Sequence, residues 1–126
     1  MKKAFRLASE SKAAVTRVKH FRIFTNVRGA TFRRDGKLFY GLHGDIIPIA
    51  SVVMETRKLC PSLIENFANK HPKAKIGIYR FKNRRFVSID ASVIKSAKNR
   101  ESNLQLARKS KQESIFNLTN KQVIDT

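Results

Sequence analysis

The chain has little cysteine and no tryptophan, and it has no long apolar run. Of its 126 residues one is a cysteine, Cys60, which cannot form an internal disulfide or a cysteine-based zinc site. Its apolar neighbours Leu59 and Pro61 favour a buried structural thiol. Because no run of about 18 apolar residues occurs, we expect no membrane-spanning helix. These absences predict an intracellular protein, in the cytoplasm or a nucleoid-like compartment, or one packaged in a virion.

Acidic residues are also scarce. The chain contains nine Asp and Glu and 27 Lys and Arg, so its formal net charge is +18. Self-repulsion of this size is commonly relieved by a polyanion, which makes nucleic acid the expected partner. The chain is still 41% hydrophobic and contains nine Phe, so it can form a core and does not have the composition of a disordered chain. Its length predicts one domain.

The positive charge is concentrated in two blocks. Residues 1–37 have a net charge of +9 and residues 70–111 of +11, whereas residues 38–69 and 112–126 each have −1. A surface that is charged only for solubility would not leave a nearly neutral middle. Two basic blocks therefore flank a segment that forms the core.

The neutral middle predicts the core helix. From Ile46 to Asn69, apolar residues recur at spacings of three, four and seven. We expect one helix to end near Leu59 and a second to start at Pro61, because proline is favoured in the first helical turn. His71 and Pro72 should end the second helix. This helical segment is expected to pack on a sheet.

Each basic block contains a hairpin signal. In the first, Asp35-Gly36 forms a two-residue turn that would place Phe32 opposite Phe39. In the second, residues 75–81 and 85–89 flank Lys82-Asn83-Arg84, where Asn83 tolerates a tight turn. Residues 18–27 alternate as a half-buried strand does. The predicted fold is α+β: a small antiparallel sheet of about five strands, with two basic-tipped hairpins, packed on the central helical segment.

The last third of the chain predicts a basic helix and a tail. A cap at Ser88 or Asp90 would start a helix at Ala91, whose thin apolar stripe lies beside many cations. The final segment is either a short docking element or a frayed tail. The predicted organisation is thus a basic arm (1–14), an α+β core (15–90), a basic helix (91–112) and a tail (113–126).

Aromatic and cationic residues alternate along several of the predicted strands. Cations neutralise phosphates, and exposed rings stack on unpaired bases, although strand alternation alone would also turn such rings into the core. We expect the cations, at the two hairpin tips and on the C-terminal helix, to contact phosphate. The predicted nucleic-acid-binding residues are Arg33, Arg34, Lys37, Arg80, Lys82, Arg84, Arg85, Lys95, Lys98 and Arg100.

Motifs for catalysis, cofactors and metals are missing. No phosphate-cradling glycine loop occurs. Asp45 and Glu55 would suit a metal-dependent nuclease only with a lysine two residues after Glu55, where the chain has Arg57. No cofactor and no metal are expected, and sequence-specific readout has no supporting motif.

One weaker alternative is a metal-independent ribonuclease with His43 as general base. The segment from Asp35-Gly36 to His43-Gly44 resembles the HicA-type toxin ribonucleases, in which a similar hairpin and His-Gly precede a helix. That family's catalytic histidine precedes the Asp-Gly turn, where this chain has Ala30, Thr31 and Phe32, so the resemblance does not extend to the activity.

The sequence favours a non-enzymatic nucleic-acid-binding protein that contacts RNA or DNA through phosphates, with an architectural or regulatory role in a nucleoprotein assembly. An alternative is a small inhibitor or adaptor whose basic face docks an acidic protein, because a basic surface attracts any anion.

Overall fold

The computed structural model describes residues 4–20, 29–41, 43–81, 85–112, 114–120 and 122–126, and it has the expected α+β class. Its helices are α1 (Ser9–Lys19), α2 (Pro61–Lys70) and α3 (Arg100–Lys109), with short 3-10 turns at Thr56–Lys58 and Ala97–Asn99. Its strands are β1 (Gly29–Phe32), β2 (Asp45–Glu55), β3 (Lys75–Arg80), β4 (Phe86–Lys95), β5 (Ser114–Asn117) and β6 (Gln122–Asp125). They form one antiparallel sheet in the order β1-β3-β4-β2-β5-β6.

The helix predicted from Ile46 to Leu59 is wrong, because this segment forms β2 and a 3-10 turn. Isoleucine and valine dominate β2 and favour extended backbone, and Pro48 cannot donate to a helical hydrogen bond. The register against β4 shifts between Pro48 and Ala50. This bulge brings Ile47 and Ala50 to the same face. Ile49 and Val52, whose spacing of three suggested the helix, are both exposed on the strand.

The second predicted helix is confirmed. Helix α2 begins at Pro61 and ends at Lys70, immediately before His71 and Pro72. Its buried residues include Ile64 and Ala68, which pack in the main core.

The C-terminal helix is present, but it begins at Arg100 rather than at Ala91. Residues up to Lys95 continue β4, in which Val87, Ile89 and Ala91 are buried on one face. This period of two residues fits a strand, and β4 lies in the sheet between β3 and β2. The final segment docks on the sheet, since β5 pairs with β2 and β6 pairs with β5.

The beginning of the chain packs against the core. Phe5 and Leu7 are buried, and the backbone N–H of Leu7 donates to Glu65 Oε2 of α2 at 2.8 Å. Helix α1, which the sequence analysis did not predict, starts within the expected arm and buries Val15 and Val18. Part of the predicted strand at residues 18–27 is therefore helical, and its residues 21–28 lie outside the described residues.

The two predicted hairpins differ in outcome. Phe32 forms an isolated bridge with Leu38, not with Phe39, and β1 takes β3 as its strand partner. A turn at residues 33–37 does form, with Gly36 at a φ of +83°, a left-handed conformation that glycine adopts without strain. The β3–β4 hairpin is confirmed, whereas its expected turn at residues 82–84 lies outside the described residues.

All three helices cover the same face of the sheet. Residues of α1 and α2 pack with Val87, Ile89 and Ala91 of β4. Residues of α3 pack with Val93, which points to the same face as Ala91 because the two are two positions apart. We call the opposite side the open face, since none of the described helices packs on it.

Candidate nucleic-acid interface

The predicted phosphate-binding residues lie at two opposite ends of the sheet. The end at which β3 stops and β4 starts is called the Arg80 end, and the end at which β2 starts is called the Asp45 end. Strand β3 has six residues, so the two ends are about 20 Å apart. The first basic turn, at residues 33–37, follows the Phe32 end of β1, which pairs with Ile76. It therefore lies at the Asp45 end, and the two tips do not meet.

At the Asp45 end, exposed cations are scattered. Lys37, Lys95 and Lys98 are exposed, and Arg33 forms an ion pair with Asp35 at 2.8 Å. Lys95 lies at the end of β4 rather than on a helix, and Lys98 lies in a 3-10 turn. These side chains can contact phosphate one at a time, and they do not line the cleft of about 540 Å³ described below or the one of about 280 Å³ beside Lys70 and Lys73.

Arg34 and Arg80 donate hydrogen bonds to the carboxyl-terminal ends of helices. The Arg34 guanidinium lies 3.3 to 3.5 Å from the carbonyl oxygens of Ala68, His71 and Ala74, and 5.2 Å from the centroid of the Phe5 ring. Burial lowers the pKa of Arg34. Helix carboxyl termini have unpaired carbonyls and a partial negative charge, which arginine satisfies. Arg34 is thus a structural residue rather than part of a phosphate-binding surface.

Arg80 has the same role at α1. Its Nη1 donates to the carbonyl oxygens of Val18 and Lys19 at 3.1 and 3.2 Å. This contact holds the end of α1 against the end of β3. It also offsets the negative end of the helix, which would otherwise repel an anion near Lys19.

Arg100 also has an internal partner. Its Nε and Nη2 donate to the Asp45 carboxylate at 2.8 and 3.1 Å, and the side chain of Asp45 is fully buried. Asn103 Nδ2 donates to the same carboxylate at 2.8 Å. Arg100 therefore neutralises a buried charge between α3 and β2.

The densest group of cations lies at the Arg80 end, around a cleft of about 540 Å³. We call it the cationic cleft. The end of α1, the end of β2 with its 3-10 turn, and the facing ends of β3 and β4 form its walls. Its lining residues are Lys19, His20, Glu55, Thr56, Arg57, Arg80 and Arg85. Of the predicted set, the cleft contains Arg80 and Arg85, while Lys82 and Arg84 lie in the turn outside the described residues.

The cleft retains a positive charge because its one acid is already paired. Glu55 Oε2 lies 2.6 Å from Arg57 Nε. This hydrogen bond and the positive charge of Arg57 lower the pKa of Glu55, and Glu55 in turn raises the pKa of Arg57. Both groups are therefore charged at neutral pH and compensate each other, so the net positive charge of the cleft comes from Lys19, Arg80 and Arg85, of which Arg80 and Arg85 also make contacts within the protein.

Three basic residues of the cleft were not predicted from the sequence. Lys19 and His20 end a helix that was not predicted, and Arg57 follows a strand that had been assigned to a helix. The alternation of cations and rings at residues 79–86 did point to this end of the sheet. No local pattern connects it with Lys19, which is more than 50 positions away.

Other candidate chemistry is sparse. His43 is exposed, and Arg34, one of the predicted nucleic-acid-binding residues, is turned toward α2. Cys60 is half-buried rather than buried, with its Sγ 3.3 Å from Ser62 Oγ, and this contact lowers the pKa of the thiol. Within the described ranges, no three His, Cys, Asp or Glu residues cluster as metal ligands, and no helix is long and apolar enough to cross a membrane.

Comparisons with protein-family models, with curated proteins and with solved structures found no match. The function is therefore inferred from the cationic cleft and the open face.

Proposed function

We propose that this protein binds nucleic acid without catalysing a reaction, mainly through phosphate contacts and with little sequence specificity. It would act inside the cell or a virion, as an architectural or regulatory subunit of a nucleoprotein assembly. The observation that supports this most is the cationic cleft, in which side chains from separate parts of the chain converge and the single acid is paired. Converging cations bind phosphates and release the condensed counterions.

The preference for nucleic acid over a small anion follows from the extent of the positive surface. Besides the cleft, exposed lysines occur at the Asp45 end, about 20 Å away. A small anion would occupy one end only, whereas a polymer with phosphates at regular spacing contacts both. The formal charge of +18 is in keeping with a polymeric partner.

Salt dependence tests this proposal. Binding of labelled DNA and RNA to the purified protein is measured by fluorescence anisotropy between about 50 and 200 mM salt. If six phosphates are neutralised, log K should fall with log salt with a slope of roughly −5 on duplex DNA. Arg85→Glu should weaken binding and reduce the magnitude of the slope by about one, and Arg57→Glu should weaken binding because it places a second carboxylate beside Glu55 in the cleft.

Lys109→Glu is the matched control. It changes the net charge by the same amount, but Lys109 is an exposed residue of α3 that does not line the cleft. A flat salt response, or an equal effect of Lys109→Glu and Arg85→Glu, contradicts binding at the cleft. Gently purified protein should also contain nucleic acid, visible in its ultraviolet spectrum. A stoichiometric acidic protein in its place would favour the adaptor alternative.

A further inference from the structure

Three aromatic side chains are exposed on the open face beside the cationic cleft. Tyr79 is 40% exposed, and Phe81 and Phe86 are each 37% exposed. Tyr79 pairs with Ser88, which is two positions from Phe86, so these side chains point to the same side of the sheet. The backbone N–H of Phe81 donates to the carbonyl of Phe86 at 3.0 Å and continues the ladder. We call Tyr79, Phe81 and Phe86 the aromatic patch.

These three rings are not part of the hydrophobic core. The helix-covered face is filled by other side chains, including Phe5 and Phe32, which are almost fully buried. The rings of Tyr79 and Phe81 contact each other edge to face, with centroids 5.9 Å apart and planes at 89°. This contact orients both rings while their outer surfaces stay accessible. The patch is thus an ordered apolar surface in contact with solvent.

Cations border the patch on the side of the cleft. Arg85 precedes Phe86 in the chain, and Glu55, the register partner of Phe86, forms the ion pair with Arg57. An apolar partner protein would gain nothing from this border, whereas a ligand with both flat rings and phosphates matches it. Nucleic acid has both, but stacked base pairs in a duplex cover the faces of their neighbours. Only unpaired bases can lie on the rings.

The middle of the open face indicates how the ligand would be oriented. Next to the patch lie Val53, which is exposed, and its register partner Ser88, which is buried, followed by the row Gly77, Asp90 and Ser51. The Asp90 carboxyl accepts a hydrogen bond from Ser51 Oγ at 2.7 Å. This part of the face carries no positive charge among the described residues, so it offers no partner to a phosphate. Bases would therefore face the sheet while the phosphates follow the cationic border.

We propose that the open face binds single-stranded nucleic acid, with unpaired bases stacked on Tyr79, Phe81 and Phe86 and with phosphates at Arg85 of the cationic cleft. This inference rests on the proposed function and adds the substrate class: a single strand is bound in preference to a duplex. The backbone contacts are common to DNA and RNA, so both polymers are used in the test.

The test compares a short single strand with the blunt duplex of the same sequence, as DNA and as RNA, at one salt concentration. The protein should bind the single strand more tightly. Leucine substitutions at Tyr79, Phe81 and Phe86 keep an apolar side chain but remove the ring. Each should weaken single-strand binding about tenfold, since stacking contributes about 1–3 kcal/mol per base, and should leave duplex binding unchanged. Tyr40→Leu, at a 76% exposed aromatic outside the patch, should change neither.

A spectroscopic measurement detects stacking directly. The chain has two tyrosines and no tryptophan, so in Tyr40→Phe protein the fluorescence comes from Tyr79 alone. A single strand should quench it, and a duplex should not. Equal affinity for single strand and duplex, with no effect of the leucine variants, overturns the stacking inference but leaves the proposed function standing. Absence of binding to every nucleic acid overturns both.

Discussion

Most acidic residues in the described part of the chain have a positive partner or an internal hydrogen bond. Asp35 pairs with Arg33, Asp45 with Arg100 and Glu55 with Arg57. Glu65 is buried and accepts the backbone N–H of Leu7. The few negative charges thus act within the fold, and the excess of lysine and arginine is left for the surface. This distribution explains how a strongly basic surface coexists with an ordered core.

Asp90 is a partly buried acid that has no ion pair with a cation among the described residues. Burial raises the pKa of its carboxyl, although hydrogen bonds from Ser51 and Ser88 oppose the change. A raised pKa in the folded state favours the protonated form. The stabilisation from that proton is complete below the pKa of the carboxyl in the unfolded chain, and it is lost as the pH rises through the raised pKa of the folded state.

Asp90→Asn should therefore raise the thermal midpoint at neutral pH, with the gain shrinking as the pH falls through the raised pKa of the folded carboxyl and disappearing below the pKa of the unfolded carboxyl. The amide keeps an acceptor for Ser51 and removes the buried charge. Thermal unfolding followed by circular dichroism at neutral and acid pH measures the difference. Asp125→Asn, at an exposed residue of β6, controls for the change in net charge. Equal gains for both variants at neutral pH would show that net charge, and not burial, is responsible.

At the scale of secondary-structure elements, two helices are fixed at their ends by arginines from distant parts of the chain. Arg34 reaches the end of α2, and Arg80 reaches the end of α1. Helix α3 is fixed near its start by Arg100 and Asn103 on Asp45. Three arginines that the sequence presents as surface charge are consequently structural.

Breaking the contact between Arg100 and Asp45 should loosen α3. Arg100→Leu leaves the Asp45 carboxylate buried with one neutral donor, so we expect a loss of about 3 kcal/mol in the free energy of unfolding, measured with urea. Arg108→Leu, on the same helix, removes an exposed pair with Glu101 and should cost less than about 1 kcal/mol. If the two losses are equal, the pair with Asp45 is screened like a surface pair.

What the sequence predicted about the elements depended on local signals. Pro61 marks the start of α2 and His71-Pro72 its end, because proline restricts the backbone at its own position in the chain. The β3–β4 pairing was predicted because its strands are neighbours in the chain. By contrast, Ile49 and Val52 have a helical spacing although they lie in β2, and β1 pairs with β3 across more than 40 residues. Such pairing is decided by tertiary packing, and a short stretch of sequence holds no information about it.

The candidate site was predicted only in part for the same reason. The interleaved rings and cations of residues 79–86 are a local pattern, and Tyr79, Phe81 and Phe86 are indeed exposed. The two predicted tips lie at opposite ends of the sheet, because the register of β1 with β3 places the first turn at the Asp45 end. Which arginines turn inward could not be predicted, because their acceptors are carbonyls brought close by folding.

At the scale of the whole molecule, the charge of +18 has opposite consequences for folding and for binding. Repulsion among like charges destabilises the compact state, and salt screens it, with a Debye length of about 10 Å at 0.1 M. The thermal midpoint of the free protein should therefore rise with salt. Affinity for nucleic acid should fall over the same range, because salt opposes counterion release.

The effect of salt on stability and its effect on binding can be distinguished by measuring thermal unfolding with and without single-stranded nucleic acid. At low salt, bound nucleic acid should raise the thermal midpoint, since a ligand that prefers the folded state stabilises it by mass action. At high salt the free protein should be more stable than at low salt, and the ligand should add little. The combined Arg57→Glu and Arg85→Glu variant should lose the ligand-induced rise, while Lys109→Glu should retain it. If the thermal midpoint of the free protein does not change with salt, the positive charges lie too far apart to repel one another. A clustered cationic surface would then be the wrong description of this fold.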